Sequence, residues 1–289
     1  MIYILLSIFC SVTVAVFLKL ARRYKINVIQ AVTWNYLFAI LFSLVFFRPK
    51  PGDLFQTPSP VYIGLGILLP VVFWILAASI KNIGIAKSDI AQRLSLFIPI
   101  LASYFLFKEN ISGLKLAGLL TGIVAILLTL FKKQGKRSGG QISDWIYPAV
   151  VFIGFGVIDV LFKKIAQVQS MPFTTSLVLV FGLSFVISLI AIGYLAIVKK
   201  QKLELVNFLC GCILGAFNFG NIFFYLKAHQ ALASNPSTVF AAMNMGVIIL
   251  GSLIGLIIFK EKFIKINYIG LLLALASIIL ITLAQLHAF

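Results

Sequence analysis

Charged and amide side chains set inside long apolar runs are the residues here whose type and spacing suit chemistry. A bilayer makes such groups costly unless they face a partner or a wet cavity. Arg93 is the first of them. The apolar run from Leu94 to Phe107 is too short to cross about 30 Å of hydrocarbon at about 1.5 Å per residue. The crossing segment must therefore take in Arg93, on the order of 10 Å from its start at Lys87. Asp89 precedes Arg93 by one helical turn on the same face, and Gln92 is adjacent. A guanidinium at that depth can grip a carboxylate or phosphate through two parallel hydrogen bonds. It can equally form a structural pair with Asp89 that reaches the interface.

Asp159 is the other acid well within an apolar run, and Lys163 follows it by one turn. A local ion pair near the headgroups is one reading; a proton or cation site facing a cavity is the other. Asn218, Asn221 and Asn244 form an amide group, open to two uses. They can bond neighbouring helices as packing glue, or line a cavity and read a substrate's hydroxyl or amino groups. Trp34, Asn35 and Tyr36 carry the same ambiguity, at a depth that also suits an interfacial aromatic belt. No metal-ligand cluster, nucleophile triad or phosphate loop accompanies them. His229 and His287 sit at the ends of apolar runs without an acid partner, so neither an enzyme nor a bound cofactor or metal is expected. Cys10, Cys210 and Cys212 read as small buried hydrophobes.

The elements that must position these residues follow from composition. The chain is 62% hydrophobic and 11% charged, with mean hydropathy +1.12, whereas a soluble domain carries about 25% charged residues. Lipid must cover what a soluble surface would not. The net charge of +17 does not point to nucleic acid, because nearly all Lys and Arg lie in short connections or at the ends of apolar runs. No cleavable signal is expected: residues 2–18 lack a basic leader and read as the first span. Spans are expected near 2–20, 28–47, 61–80, 87–107 and 113–131, then near 145–164, 173–198, 204–226, 237–259 and 265–285. The polar stretch KKQGKRSGGQIS separates the two sets. Pro70 and Pro99 are expected to bend the third and fourth spans. Asn235-Pro236 reads as a cap with Pro at the first helical position of the ninth.

The two sets resemble each other. FKENISGLKLAGLLTGIVAILLTL at 107–130 matches FKEKFIKINYIGLLLALASIILIT at 259–282, aligning Gly118 with Gly270, Leu119 with Leu271 and Leu128 with Leu280. A weaker echo links Phe17-Leu18-Lys19 with Leu161-Phe162-Lys163. Five spans per half would send the second copy in from the opposite side, giving an inverted repeat of 1–133 and 144–285. Gly118 and Gly122, like Gly270 and Ala274, have the spacing that lets helix backbones approach. Glu109 and Glu261 read as acids that start the helices following them.

Two five-helix halves, each closing on a Lys-Glu turn (Lys108-Glu109, Lys260-Glu261) and a glycine-containing last helix, resemble the EamA family of the drug/metabolite transporter superfamily. The resemblance covers nearly the whole chain. It implies ten helices, a cavity between the halves, and movement of a small metabolite. Small multidrug-resistance relatives use a buried glutamate in their first helix, and the first span here has no acid. On charge, the odd-numbered connections carry more than twice as many Lys and Arg as the even-numbered ones, which places both termini outside. The resemblance implies the reverse.

The expectation is thus an all-α, ten-span protein of a bacterial inner membrane that moves a small solute by alternating access. An amino acid, an organic anion or a similar amphipathic molecule is the expected cargo. A flippase for an amphiphile or a non-transporting membrane subunit is the alternative. The candidate cavity residues are Arg93, Gln92, Asn35, Trp34, Asn218, Asn221 and Asn244, with Asp159 as a proton or cation site. The expected partners are the bilayer and the solute, with no nucleic acid; the sequence fixes no oligomeric state.

Overall fold

The computed structural model describes residues 1–23, 26–49, 60–83, 85–130, 146–167, 172–260 and 263–286. These form eleven helices and, among the described residues, no strand: α1 (Ile2–Arg23), α2 (Val28–Phe47), α3 (Pro60–Ile83), α4 (Ile85–Leu94), α5 (Phe97–Phe105), α6 (Gly113–Thr129), α7 (Ile146–Gln167), α8 (Phe173–Ile197), α9 (Leu205–Ala231), α10 (Pro236–Ile257) and α11 (Lys265–Leu286). Six of them (α2, α3, α8, α9, α10 and α11) contain stretches long and apolar enough to cross a membrane, and Ile2–Phe17 and α6 are shorter apolar helices. Glu261, His287 and the 132–143 connection lie outside the described residues.

Local chemistry sets the helix ends. Asn27 caps α2, its side chain accepting from the backbone N–H groups of Ile29 and Gln30. Ser112 caps α6 by accepting from Lys115 N. Glu109, expected to start that helix, does not do so; its carboxylate goes elsewhere, as described below. Among the described residues, the non-glycine positions with positive φ are Arg48 (44°), Lys108 (51°), Lys200 (49°) and Lys260 (50°). They follow α2, α5, α8 and α10, where a left-handed residue ends a helix and a cation sits well beside its carbonyls.

The fourth span departs from a simple bend. Pro99 has no N–H to return to the Ser95 carbonyl, which accepts from Ile98 N at 3.0 Å instead. The Ser95 hydroxyl turns back to the Gln92 carbonyl at 2.6 Å. The span therefore breaks into α4 and α5, leaving Arg93 in the last turn of α4. Pro70, by contrast, lies inside an unbroken α3.

Contacts across helix pairs give their directions. Gly118 meets Ile281, Gly122 meets Ser277, and Gly270 meets Thr129, so α6 and α11 run antiparallel. A Cβ on Gly118 would come within 2.7 Å of Ile281, and one on Gly270 within 2.5 Å of the Thr129 nitrogen. Only glycine allows that approach. The Ser277 hydroxyl completes the seam by donating to the Gly118 carbonyl at 2.7 Å. Helices α2 and α9 run parallel, since Trp34 meets Gly211 and Phe38 meets Gly215. Helices α1 and α9 are antiparallel, since Ser7 meets Asn221 whereas Phe17, further along α1, meets Phe217. These directions agree with a chain that crosses at every span and has connections at alternate ends. We call the end where α1 begins the lower end and the other the upper end.

Candidate functional site

A narrow cleft opens among α1, α2, α3 and α9; the roughly 270 Å³ it spans includes its open mouth, and its interior has room for about one water. It is lined by Val14, Val32, Phe73 and Leu214, and by two amides, Asn35 and Asn218. Asn35 is 5% exposed and Asn218 8%, and neither side chain has a hydrogen-bond partner among the described residues. Asn218 lies near the middle of α9, so this is membrane depth. An amide that opens onto a cleft without a protein partner is left able to bond what enters the cleft. Two of them facing one cleft form a ready-made recognition surface of donors and acceptors.

The remaining candidates separate. Asn221 takes the hydroxyl of Ser7 on its Oδ1 at 2.8 Å, tying α9 to α1. Asn244 donates to the Phe240 carbonyl one turn earlier at 3.0 Å. Trp34 packs edge-on against Phe208, with centroids 5.2 Å apart. Arg93 is half-buried and meets Asp89 through Nε at 3.6 Å, an ion pair within one helix. Gln92 is in contact with that turn through its carbonyl. The structure thus brings Asn35 and Asn218 together and puts Arg93, Gln92, Asn221, Asn244 and Trp34 outside the residues lining the cleft. The expected pairing of Asp159 with Lys163 is not formed. Asp159 accepts from the Tyr225 hydroxyl at 3.0 Å, whereas Lys163 donates to the carbonyls of Ala233 (2.9 Å) and His229 (3.4 Å). Helix α9 and the turn that follows it offer each a better-placed partner than its neighbour on α7.

Both ends of the bundle are closed by polar contacts that join the first five spans to the last five. At the lower end Glu109 accepts from Ser237 N (2.9 Å), Ser237 Oγ (2.7 Å) and Lys115 Nζ (2.5 Å). Lys115 also donates to Asn235 Oδ1 at 2.8 Å. Glu109 and Lys115 are 4% and 3% exposed, so this is a buried ion pair. The carboxylate sits at the positive end of α10, where backbone N–H groups lack helical partners. Asn235 precedes Pro236 as expected, but its side chain serves Lys115, and Glu109 does the capping.

At the upper end the closure is made mainly of amides, with Glu204 beside them: its N–H donates to Gln30 Oε1 at 3.3 Å and its carboxylate accepts from Asn207 Nδ2 at 3.4 Å. Gln30 Nε2 donates to the Lys202 carbonyl (2.9 Å), and Asn207 Nδ2 donates to Gln30 Oε1 (2.8 Å). Asn27 N donates to Asn207 Oδ1 at 3.0 Å. Sequence reading missed Gln30, Lys115, Asn207, Tyr225 and Ser237. Lys115 carried the clearest signal, as a lysine one turn into an apolar span.

A stack of apolar helices closed at both ends around a cleft at membrane depth defines a multi-pass membrane protein. The EamA-like transporter family matches residues 1–131. An uncharacterized protein of Haemophilus influenzae is 38% identical over 282 residues, spanning 95% of each chain. A crystal structure of a protein with 16% identity superposes over 98% of this chain and 96% of its own, with a TM-score of 0.71, and so has the same fold. The chain belongs to the EamA-like transporter family, within the drug/metabolite transporter superfamily.

Proposed function

We propose that the chain carries a small amphipathic metabolite across a bacterial inner membrane by alternating access between two inverted five-helix halves. The observation that carries this reading is the pair of unpartnered amides, Asn35 and Asn218, facing an otherwise apolar cleft at membrane depth. Amides there would hold the polar end of a solute, with Val14, Val32, Phe73 and Leu214 against its apolar part. An amino acid or similar solute fits that division better than a multiply charged anion, because no charged side chain lines the cleft.

Two features support the inverted repeat. The left-handed residues come as equivalent pairs, after the second and seventh spans (Arg48, Lys200) and after the fourth and ninth (Lys108, Lys260). On the α6–α11 seam, Gly118 against Ile281 corresponds to Gly270 against Thr129 under the alignment of 107–130 with 259–282. Exchange of partners across an antiparallel pair is what a twofold axis in the membrane plane requires.

The test is a thermal-shift screen of the purified protein against a metabolite panel, followed by uptake of any hit into proteoliposomes. A ligand at 100 times its Kd should stabilise by about 2.7 kcal/mol. Asn35→Leu and Asn218→Leu should each remove both the shift and the uptake. A hit that stabilises and crosses equally well in both variants places the site elsewhere and overturns the cleft assignment.

A further inference from the structure

Two lysines hold corresponding places in the two halves and meet unlike surroundings. Lys19 and Lys163 close the matching triplets Phe17-Leu18-Lys19 and Leu161-Phe162-Lys163, near the ends of α1 and α7. Phe107 and Phe259 open the matching 107–130 and 259–282 stretches, each two residues past the end of a helix, α5 or α10. Each lysine lies over the phenylalanine of the other half. The Lys19 ammonium is 3.7 Å from the Phe259 ring centroid at the upper end. The Lys163 ammonium is 6.0 Å from that of Phe107 at the lower end. Exchanging the halves turns one contact into the other.

The difference lies in where the ammonium goes. Lys19 is exposed, and its ammonium sits close over the ring in a cation–π contact. Lys163 is fully buried, and its ammonium has drawn back to the outer limit of such a contact. It donates instead to the carbonyls of Ala233 at 2.9 Å and His229 at 3.4 Å. Those carbonyls lie at and just past the end of α9, where the helix dipole is negative and backbone acceptors lack helical partners. The mouth at which the lysine is buried is also the one sealed by Glu109 and Lys115. The mouth at which it is exposed is held mainly by amides.

We infer that Lys19 and Lys163 are equivalent locks, one for each mouth, and that they exchange states as the mouths alternate. With the lower mouth shut, Lys163 is sunk against the end of α9 while Lys19 rests outside on Phe259. With the upper mouth shut, Lys19 sinks against the end of α3, the third span that corresponds to α9 as the eighth. Lys163 then moves out onto Phe107. The aromatic ring gives each lysine a resting place when its lock is open, so the ammonium changes partners without being stranded. The exchange rests on the alternating access proposed above and names what holds each state.

Labelling of a buried cysteine in the full-length protein, held in lipid nanodiscs, tests the exchange without any solute. Ala241 lies on α10 one turn above Ser237 and is 2% exposed. A cysteine there, with Cys10, Cys210 and Cys212 replaced by alanine, meets a water-soluble thiol reagent only when the lower mouth opens. Lys163→Met removes the lower lock and should raise the labelling rate about tenfold, the shift expected for losing a hydrogen bond to a charged group. Lys19→Met removes the lock of the opposite state and should lower the rate by a similar factor, from the far end of the molecule. The double variant should return to the parent rate. A rate that Lys163→Met leaves unchanged, or that Lys19→Met fails to lower, overturns the exchange while alternating access stands. No labelling in any variant overturns the alternating access together with the locks. Melting curves report whether each variant folds; Lys19 is exposed, so Lys19→Met alone decides the matter where Lys163→Met does not fold.

Discussion

The lower closure and the cleft both hold polar groups away from water, yet they are opposites in how those groups are used. Around Glu109 three donors meet one carboxylate, and Lys115 divides itself between Glu109 and Asn235. In the cleft the two amides have no hydrogen-bond partner among the described residues. A buried polar group whose bonds are all made inside the protein holds structure together. One whose bonds are open is kept for something that arrives. The contrast separates residues that look alike in sequence: Asn218 and Asn221 are three positions apart on one helix, but of the two only Asn221 has a side-chain partner among the described residues.

Substitutions can sharpen or break that contrast. The largest effect is expected from Glu109→Ala, which strands the Lys115 ammonium and the first N–H groups of α10. Losing one partner of a buried ion pair costs about 3–5 kcal/mol. A steep drop in melting temperature and yield should follow, and wild-type melting would show that the closure is ornamental. Asn221→Ala should come next, at about 1 kcal/mol for an interhelical hydrogen bond in a membrane protein. It is read from the same melting curves; the Ser7 hydroxyl also reaches the backbone carbonyl of Asn221 at 2.9 Å, so Ser7→Ala should add a further, smaller loss in the double variant. Asn218→Leu should be the smallest, within about 0.5 kcal/mol of wild type or slightly stabilising, since it removes an unmet polar group. A loss as large as that of Asn221→Ala would mean that Asn218 is structural after all.

Much of the fold was legible because lipid imposes a simple rule on length and polarity. The spans, the repeated 107–130 and 259–282 segments and the glycine spacing on α6 and α11 are properties of single helices or of two aligned stretches. What a sequence does not carry is which helix lies opposite. The i, i+4 spacing of Asp159 and Lys163 permits a pair, and α9 with the turn after it outbids that pair with Tyr225 and two carbonyls. Glu109 stands just before a helix, as an acid at a helix start should, but the start it serves belongs to α10. Pro99 announced a disturbance in the fourth span; the Ser95 hydroxyl, by taking the Gln92 carbonyl, helps turn it into a break.

The unlike closures at the two ends give the molecule a directional response to its surroundings. Two unit charges 4 Å apart attract by about 4 kcal/mol near a protein surface and by about 1 kcal/mol in bulk water, and dissolved ions screen what is left. Once water reaches Glu109 and Lys115, their attraction therefore collapses, and ionic strength tunes how readily that happens. The Gln30–Asn207 contact at the other end joins two neutral amides, with the exposed Glu204 carboxylate accepting from Asn207 at 3.4 Å, and on opening it exchanges one set of hydrogen bonds for another of similar worth. Salt should therefore loosen the lower end more than the upper, so that the two closures answer differently to the same change in ionic strength.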